Sequence, residues 1–184
     1  MSGRFAIRSA APADAAALRT VNEQAAPGVP SIAERDLAAL IEMSEHSFIA
    51  AKAEAGPPAP DPVYERPVRA AQVLGFLVAL APGLAYDSPN YRWFERRGGP
   101  FLYIDRIAVA TTARGRGVGD ALYGALIDAA RAATPLVCEV NLAPPNPGSL
   151  RFHQRLGFIE IGRAAYQPGV KEVAFLERAA APPG

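Results

Sequence analysis

A chain of 184 residues, half of them hydrophobic and a fifth charged, is long enough for one domain with a sizeable core and has the balance of an ordinary globular protein. With 19 basic against 18 acidic residues the net charge is +1, which gives no electrostatic case for nucleic acid or an anionic membrane as partner. The single cysteine, Cys138, excludes an intramolecular disulfide, and with only His46 and His153 beside it no metal site is expected. The segment Met1 to Ala10 carries no apolar leader and reads as mature protein. The longest weakly polar run, Val73 to Ala85, is broken by Pro82 and Gly83 and is too short to cross a bilayer, so a reduced cytoplasmic setting is expected.

In chain order, Phe5 and Ile7 alternate with Arg4, Ala6 and Arg8 as a first strand. Leu18, Val21 and Ala25 then recur near helical spacing until Pro27, Gly28 and Pro30 close the segment. Ser31 with Glu34 three residues on has the capping-box pattern and predicts a second helix with Ala33, Leu37, Leu40, Ile41 and Ser44 on one face. Ser47 to Ala53 reads as a strand, with His46 at the surface before it. The five prolines between Gly56 and Pro67 make a loop between hairpin strands. Ala71 to Ala81 is apolar throughout, as a strand buried on both faces would be. Pro82 to Pro100 reads as a long covering loop, and Phe101 to Ala110 as the next strand. A helix to about Ala133 follows a glycine-rich turn. Leu136 to Asn141 is a strand, Gly148 to Leu156 a short helix, and Ile159 to Tyr166 with Lys171 to Leu176 a closing hairpin around Pro168-Gly169. This mixture of strands and helices predicts an α/β or α+β fold in a single domain over residues 1–184.

The most informative stretch is Thr111-Thr112-Ala113-Arg114-Gly115-Arg116-Gly117-Val118-Gly119, between a strand and a helix whose apolar face is Val118, Leu122, Leu126 and Ala129. Three glycines in five residues let the backbone approach a ligand without Cβ obstruction. The N–H groups that open a helix lack intrahelical acceptors and sit at the positive end of its dipole, which suits a phosphate. Arg114 and Arg116 carry charge of the right sign. A Walker A loop would end in Gly-Lys-Ser/Thr and a dinucleotide fingerprint would be G-x-G-x-x-G; the spacing here, G-x-G-x-G, is neither.

Ile107-Ala108-Val109 followed by Arg114-x-x-Gly117-x-Gly119 resembles the acyl-CoA pyrophosphate loop of the GNAT N-acetyltransferases, R/Q-x-x-G-x-G/A after an apolar-x-Val strand end. Downstream, Asn146-x-x-Ser149-x-x-Phe152-His153-x-x-Leu156-Gly157-Phe158 resembles the family's N-x-x-A-x-x-F-Y-x-x-x-G-F segment. The resemblance is tight over Phe101 to Phe158 and implies a central, mostly antiparallel, twisted sheet of six to seven strands flanked by about four helices. It implies that acetyl-CoA is the acyl donor, that main-chain N–H groups from Arg114 through Gly115, Arg116, Gly117, Val118 and Gly119 to Asp120 hold its pyrophosphate, and that Ile107, Ala108 and Val109 meet the pantetheine arm. One N–H there would polarise the thioester carbonyl. Asn146, Ser149 and Phe152 are carried over as further cofactor contacts. Asn146 also suits the N-cap of the short helix, with Pro147 at its first position and Gly157 at its end.

Acyl transfer to an amine needs the neutral amine. An alkylammonium with pKa about 10.4 is mostly protonated at neutral pH, a deficit of roughly 4 kcal/mol, so a general base is required. Strand alternation puts Val137, Glu139 and Asn141 on one face. The resemblance implies a base at Glu139, since several members of the family carry Glu on that strand, and an exposed edge glutamate is the bland alternative; Asp105 and Tyr103, on the strand before the glycine-rich turn, are second choices. The family often places a Tyr proton donor for the leaving thiolate where this chain has His153. His153 therefore reads as a general acid, a substrate contact, or a packed histidine. Asn141, Asp105, Tyr91 and Trp93 are candidate acceptor contacts, and Arg92, Arg96 and Arg97 candidates for an acidic substrate group. Cys138 faces away from Glu139 and reads as a buried thiol.

Together these features predict an N-acyltransferase that moves an acetyl group from acetyl-CoA to a primary amine, of a small molecule or of a protein, by direct attack in a ternary complex. A longer acyl donor is one alternative, and a non-catalytic acyl-CoA sensor of the same fold is another. The closing hairpin is a candidate homodimer surface by the same resemblance.

Overall fold

The computed structural model describes residues 5–52, 72–130 and 134–180. Seven strands and five α-helices occur among them: β1 (Phe5–Ser9), α1 (Ala15–Gln24), α2 (Glu34–Met43), β2 (His46–Lys52), β3 (Val73–Leu80), α3 (Pro89–Arg97), β4 (Leu102–Val109), α4 (Val118–Ala129), β5 (Leu136–Ala143), α5 (Pro147–Arg155), β6 (Ile159–Gln167) and β7 (Lys171–Arg178). The strand order is β1-β2-β3-β4-β5-β7-β6. β1 with β2, β5 with β7 and β6 with β7 pair antiparallel, and β4 with β5 pairs parallel. The predicted proline-rich loop at 56–67 lies outside the described residues, as do Ala53, Ala71 and Ala133 at the ends of predicted elements.

The chain divides into two compact units, Met1–Val78 with Ile107–Leu126 and Ala79–Arg106 with Ile127–Gly184. In the first, the helical spacing of Leu18 and Val21 and of Leu37, Leu40 and Ile41 buries one face each of α1 and α2. All eight residues of β3 are buried, as its unbroken apolar run requires. Gly75 has a specific reason to be there: a Cβ at this position would lie 2.8 Å from the carbonyl oxygen of Ala108 and 3.0 Å from Val118 Cγ1. Backbone of β4 and the first residue of α4 approach β3 only because that side chain is absent.

The second unit is built on aromatics. Trp93 stacks on Phe175 with ring centroids 4.0 Å apart, Phe94 meets Phe175 edge-on at 5.3 Å, and Tyr91 meets Tyr103 at 5.5 Å. Each such pair adds about 0.5–1.5 kcal/mol beyond area burial. Gly162 on β6 lets the indole down onto the hairpin, since a Cβ there would stand 2.6 Å from Trp93 Cζ2.

Three expectations are corrected. The predicted covering loop from Pro82 to Pro100 contains α3. Ser88 caps it by accepting from the Tyr91 N–H, Pro89 occupies the first turn, and Gly98 at φ 71° ends it. The capping box at Ser31 and Glu34 does not form. Helix α2 starts at Glu34 with Ala33 as N-cap, and the Ser31 hydroxyl lies 2.7 and 2.8 Å from the two Glu23 carboxylate oxygens instead. His46, expected at the surface, opens β2 half-buried and stacks on Phe48. No described helix is long and apolar enough to cross a membrane.

Candidate functional site

The glycine-rich turn belongs to the first unit. A 3-10 turn at Thr111–Ala113 leads into it, and the buried Ala113 and Val118 pin its two ends while Arg114 to Gly117 are exposed. Gly115 and Gly117 have φ of 70° and 76°, a region in which any side chain is strained, and an added Cβ at either would meet no atom of the described residues within 4 Å. The glycines are therefore needed for backbone conformation, and the space outside them is open. The Ala121 N–H to Gly117 O bond, 3.0 Å, starts the helical ladder, so the turn delivers a helix N-terminus to its exposed side. This conformation suits a polyanion held by main-chain N–H groups.

Helix α1 fixes the turn. The side-chain oxygen of Gln24 accepts from the Thr111 N–H at 3.0 Å and lies 3.3 Å from the Thr111 hydroxyl, while Arg114 Nη2 donates to the Gln24 backbone oxygen at 3.0 Å. Arg114 thus ties the turn to the C-terminus of α1. Arg116 is exposed, Asp120 is exposed in the first turn of α4, and Gly119 lies within α4. Ala108 is buried and Ile107 and Val109 half-buried at the end of β4, where the following Ala110 N–H donates to Leu74 O at 2.9 Å.

The second unit holds a polar cluster. β4 and β5 pair Leu102 with Leu136 and Tyr103 with Val137. Asp105 and Glu139 stand two residues further along each strand, on the same face as that pair. The Tyr103 hydroxyl donates to Glu139 Oε2 at 2.9 Å. Asp105 is gripped on both oxygens: Tyr86 donates to Oδ1 at 2.5 Å and Arg106 Nε to Oδ2 at 2.8 Å, with the Asp105 side chain only 5% exposed. Asn90 on α3 hydrogen-bonds Glu139, and its Oδ1 accepts from the Tyr166 hydroxyl of β6 at 2.7 Å. Burial, and then the nearby charge of Asp105, raises the pKa of Glu139 to about 7. Burial first and the two carboxylates second push the Tyr103 phenol well above its ordinary value, and Tyr86 is raised for the same reasons.

His153 is 3% exposed on α5. Its Nδ1 lies 2.8 Å from the Ser149 backbone oxygen, which can only accept, so Nδ1 carries the proton. Burial lowers its pKa below 6.5. At neutral pH the ring is therefore neutral with its proton committed to Ser149, a poor proton donor for a thiolate. Phe158 packs edge-on against it at 5.3 Å. Asn146 caps α5, its Oδ1 accepting from the Ser149 N–H at 3.1 Å, and Gly157 at φ 86° ends the helix. Phe152 lies under the Arg155 guanidinium at 5.2 Å.

Asn141 is half-buried on β5, two residues past Glu139. Tyr91 and Trp93, expected to line an acceptor loop, are instead packing residues of α3. Tyr91 is buried with its hydroxyl donating to Ala81 O at 2.7 Å and accepting from the Leu84 N–H at 3.0 Å, and Trp93 lies on Phe175. Arg92 is paired with Asp87 and Arg97 with Glu177, both within 2.9 Å, so neither guanidinium waits for an acidic substrate group. Cys138 is buried, and burial raises its thiol pKa well above normal. Among the described residues, no group of three His, Cys, Asp or Glu side chains is placed to hold a metal ion.

Residues 58–158, a segment with parts in both units, match the acetyltransferase (GNAT) family. The chain belongs to that family. A phosphinothricin N-acetyltransferase of Streptomyces coelicolor is 41% identical over 56 residues, which are 30% of this chain and 33% of that protein, so the chain matches about a third of this curated relative. The ribosomal-protein-S18-alanine N-acetyltransferase of Escherichia coli has the same fold, with a TM-score of 0.67 at 17% identity over 98% of this chain and 97% of that one. So does NAA60 of Arabidopsis thaliana in complex with acetyl-CoA, with a TM-score of 0.64 at 17% identity over 95% and 97%. The seven-stranded mixed sheet with its helices is thus a GNAT fold. Tyr86, Asn90, Arg106 and Tyr166 of the polar cluster, and Gln24 behind the turn, had no motif to announce them.

Proposed function

We propose that this protein is an N-acetyltransferase that moves the acetyl group of acetyl-CoA to a primary amine by direct attack, with both units acting as one catalytic domain. The family match and the exposed glycine turn support the donor: Gly115 to Gly119 would hold the pyrophosphate through main-chain N–H groups, and a Cβ placed at Gly115 or Gly117 meets no described atom within 4 Å. The observation that carries the reading is the half-buried Glu139 carboxylate, fixed by Tyr103 and raised to about 7.

Its value matters because of what it must deprotonate. Moving a proton from an alkylammonium of pKa about 10.4 to a carboxylate at the ordinary 4.5 is uphill by about 8 kcal/mol, and to one near 7 by about 5 kcal/mol. Near neutral pH Glu139 remains about half ionised, so basicity is gained without losing the reactive form. The amine nitrogen then attacks the thioester carbonyl, the C–N bond forms, the C–S bond breaks and the thiolate departs. The acid role does not fall to His153, whose Nδ1 proton faces the Ser149 backbone oxygen. The phosphinothricin N-acetyltransferase likeness supports a small-molecule amine and the protein N-acetyltransferase folds a peptide amine; the acceptor is one of these two classes.

The test is thiol release from acetyl-CoA over a panel of small amines and peptide N-termini, for wild type and Glu139→Gln. Amine-dependent release that falls about 100-fold or more in the variant, with acetyl-CoA binding retained, is the expected result. Unchanged turnover in Glu139→Gln overturns the assignment of the base.

A further inference from the structure

We propose that Asp105 is a positioning residue for the acid–base step: it is the fixed member of a carboxylate pair and makes Glu139 the member that exchanges the proton. This rests on the reading of Glu139 as base. The two side chains come from adjacent parallel strands, two residues beyond the Tyr103–Val137 pair, and they are held differently. Asp105 receives a guanidinium on one oxygen and the Tyr86 hydroxyl on the other, and its side chain is almost fully buried. Glu139 is met by neutral donors, the Tyr103 hydroxyl and the Asn90 amide.

Two neighbouring carboxylates resist being charged together, and the cost falls on the one with the weaker partners. Here that is Glu139. The groups that face it are Tyr103 and Asp105 from β4, Asn90 from α3, Tyr166 from β6 and Tyr86 from the segment before α3, while Cys138, its neighbour on β5, points to the other face. The Arg106 guanidinium pairs with Asp105. When the amine is deprotonated, one N–H bond breaks and one O–H bond forms at Glu139, and that proton passes to water before the next turnover. Asp105 takes no part in that transfer; held on both oxygens by Tyr86 and Arg106, it stays in place beside Glu139.

The experiment is a 13C NMR titration of the Glu139 carboxyl in the full chain, for wild type, Asp105→Asn and Tyr86→Phe, beside pH profiles of kcat/KM. Asp105→Asn removes a like charge and leaves Arg106 uncompensated, so the Glu139 midpoint and the acidic limb should move down together by about one pH unit. Tyr86→Phe removes a donor that spreads the Asp105 charge, so both should move up by a smaller amount. Opposite shifts from two neighbouring changes are not produced by general loosening of the fold. A midpoint that stays in place in both variants, or moves the same way in both, overturns the proposal. So does an Asp105→Asn enzyme that titrates as predicted but loses turnover at every pH, because Asp105 is then itself the base. Should Asp105→Asn not fold, the upward shift in Tyr86→Phe decides alone. The titration needs no turnover, so absence of activity in the wild type would refute the acyltransferase reading without deciding this one.

Discussion

Replacing Glu139 by Gln should stabilise the protein at alkaline pH while it removes activity. The carboxyl has a pKa of about 7 in the fold against 4.5 for an ordinary glutamate. Between those values the folded state holds a proton that the unfolded chain releases, so stability falls as pH rises through that window. Below 4.5 both states are protonated and there is no cost; above 7 the cost is complete. A shift of this size corresponds to about 3 kcal/mol, and since Glu139 is only half-buried about 2 kcal/mol is the expected yield. Gln keeps the oxygen that accepts from Tyr103 and carries no charge. Urea unfolding of both proteins at pH 5 and pH 8 measures the effect. The variant should gain about 2 kcal/mol on wild type at pH 8, and that advantage should shrink to less than about 1 kcal/mol at pH 5. A difference that is the same at both pH values, or a variant less stable than wild type at pH 8, would refute the burial of an ionisable carboxylate as the cause.

Gly75→Ala pushes a methyl group to 2.8 Å from the Ala108 carbonyl oxygen, where backbone must move; chemical denaturation should show a loss of about 1–3 kcal/mol. Gly162→Ala meets Trp93 at 2.6 Å and should cost a similar amount, with near-UV circular dichroism reporting the displaced indole. Gln24→Met removes the acceptor for the Thr111 N–H but keeps the backbone oxygen that holds Arg114. Calorimetry should give acetyl-CoA binding weakened about fivefold, with the KM for the amine unchanged.

Parts of the molecule whose function depends on local chain chemistry were legible in the sequence. The apolar run of β3, the glycine turn ahead of α4, and α5 with Asn146 before it and Gly157 after it all occur where their residues demand. Helix α3 carried its own signals, Ser88-Pro89 at one end and Gly98 at the other, but the surrounding Pro82, Gly99 and Pro100 made a loop the simpler reading. Ser31 and Glu34 had the spacing of a cap, yet the hydroxyl found the Glu23 carboxylate, a partner eight residues back across a turn. The polar cluster was legible only in its centre. Glu139 was singled out by strand alternation together with the family resemblance, and Asp105 by its place on the strand before the turn, whereas Tyr86, Asn90 and Tyr166 come from separate segments that only the fold brings together. The Gln24 contact with Thr111 joins residues 87 apart and has no pattern of its own.

Thiol release by the wild-type protein, measured beside calorimetric binding of acetyl-CoA, tests amine-dependent acyl transfer from acetyl-CoA most directly. Saturable binding, with free thiol and N-acetyl product formed in equal amounts only when an amine is present, is the predicted result. Binding without release over the whole panel of small amines and peptide N-termini, or no binding of acetyl-CoA at all, would contradict it.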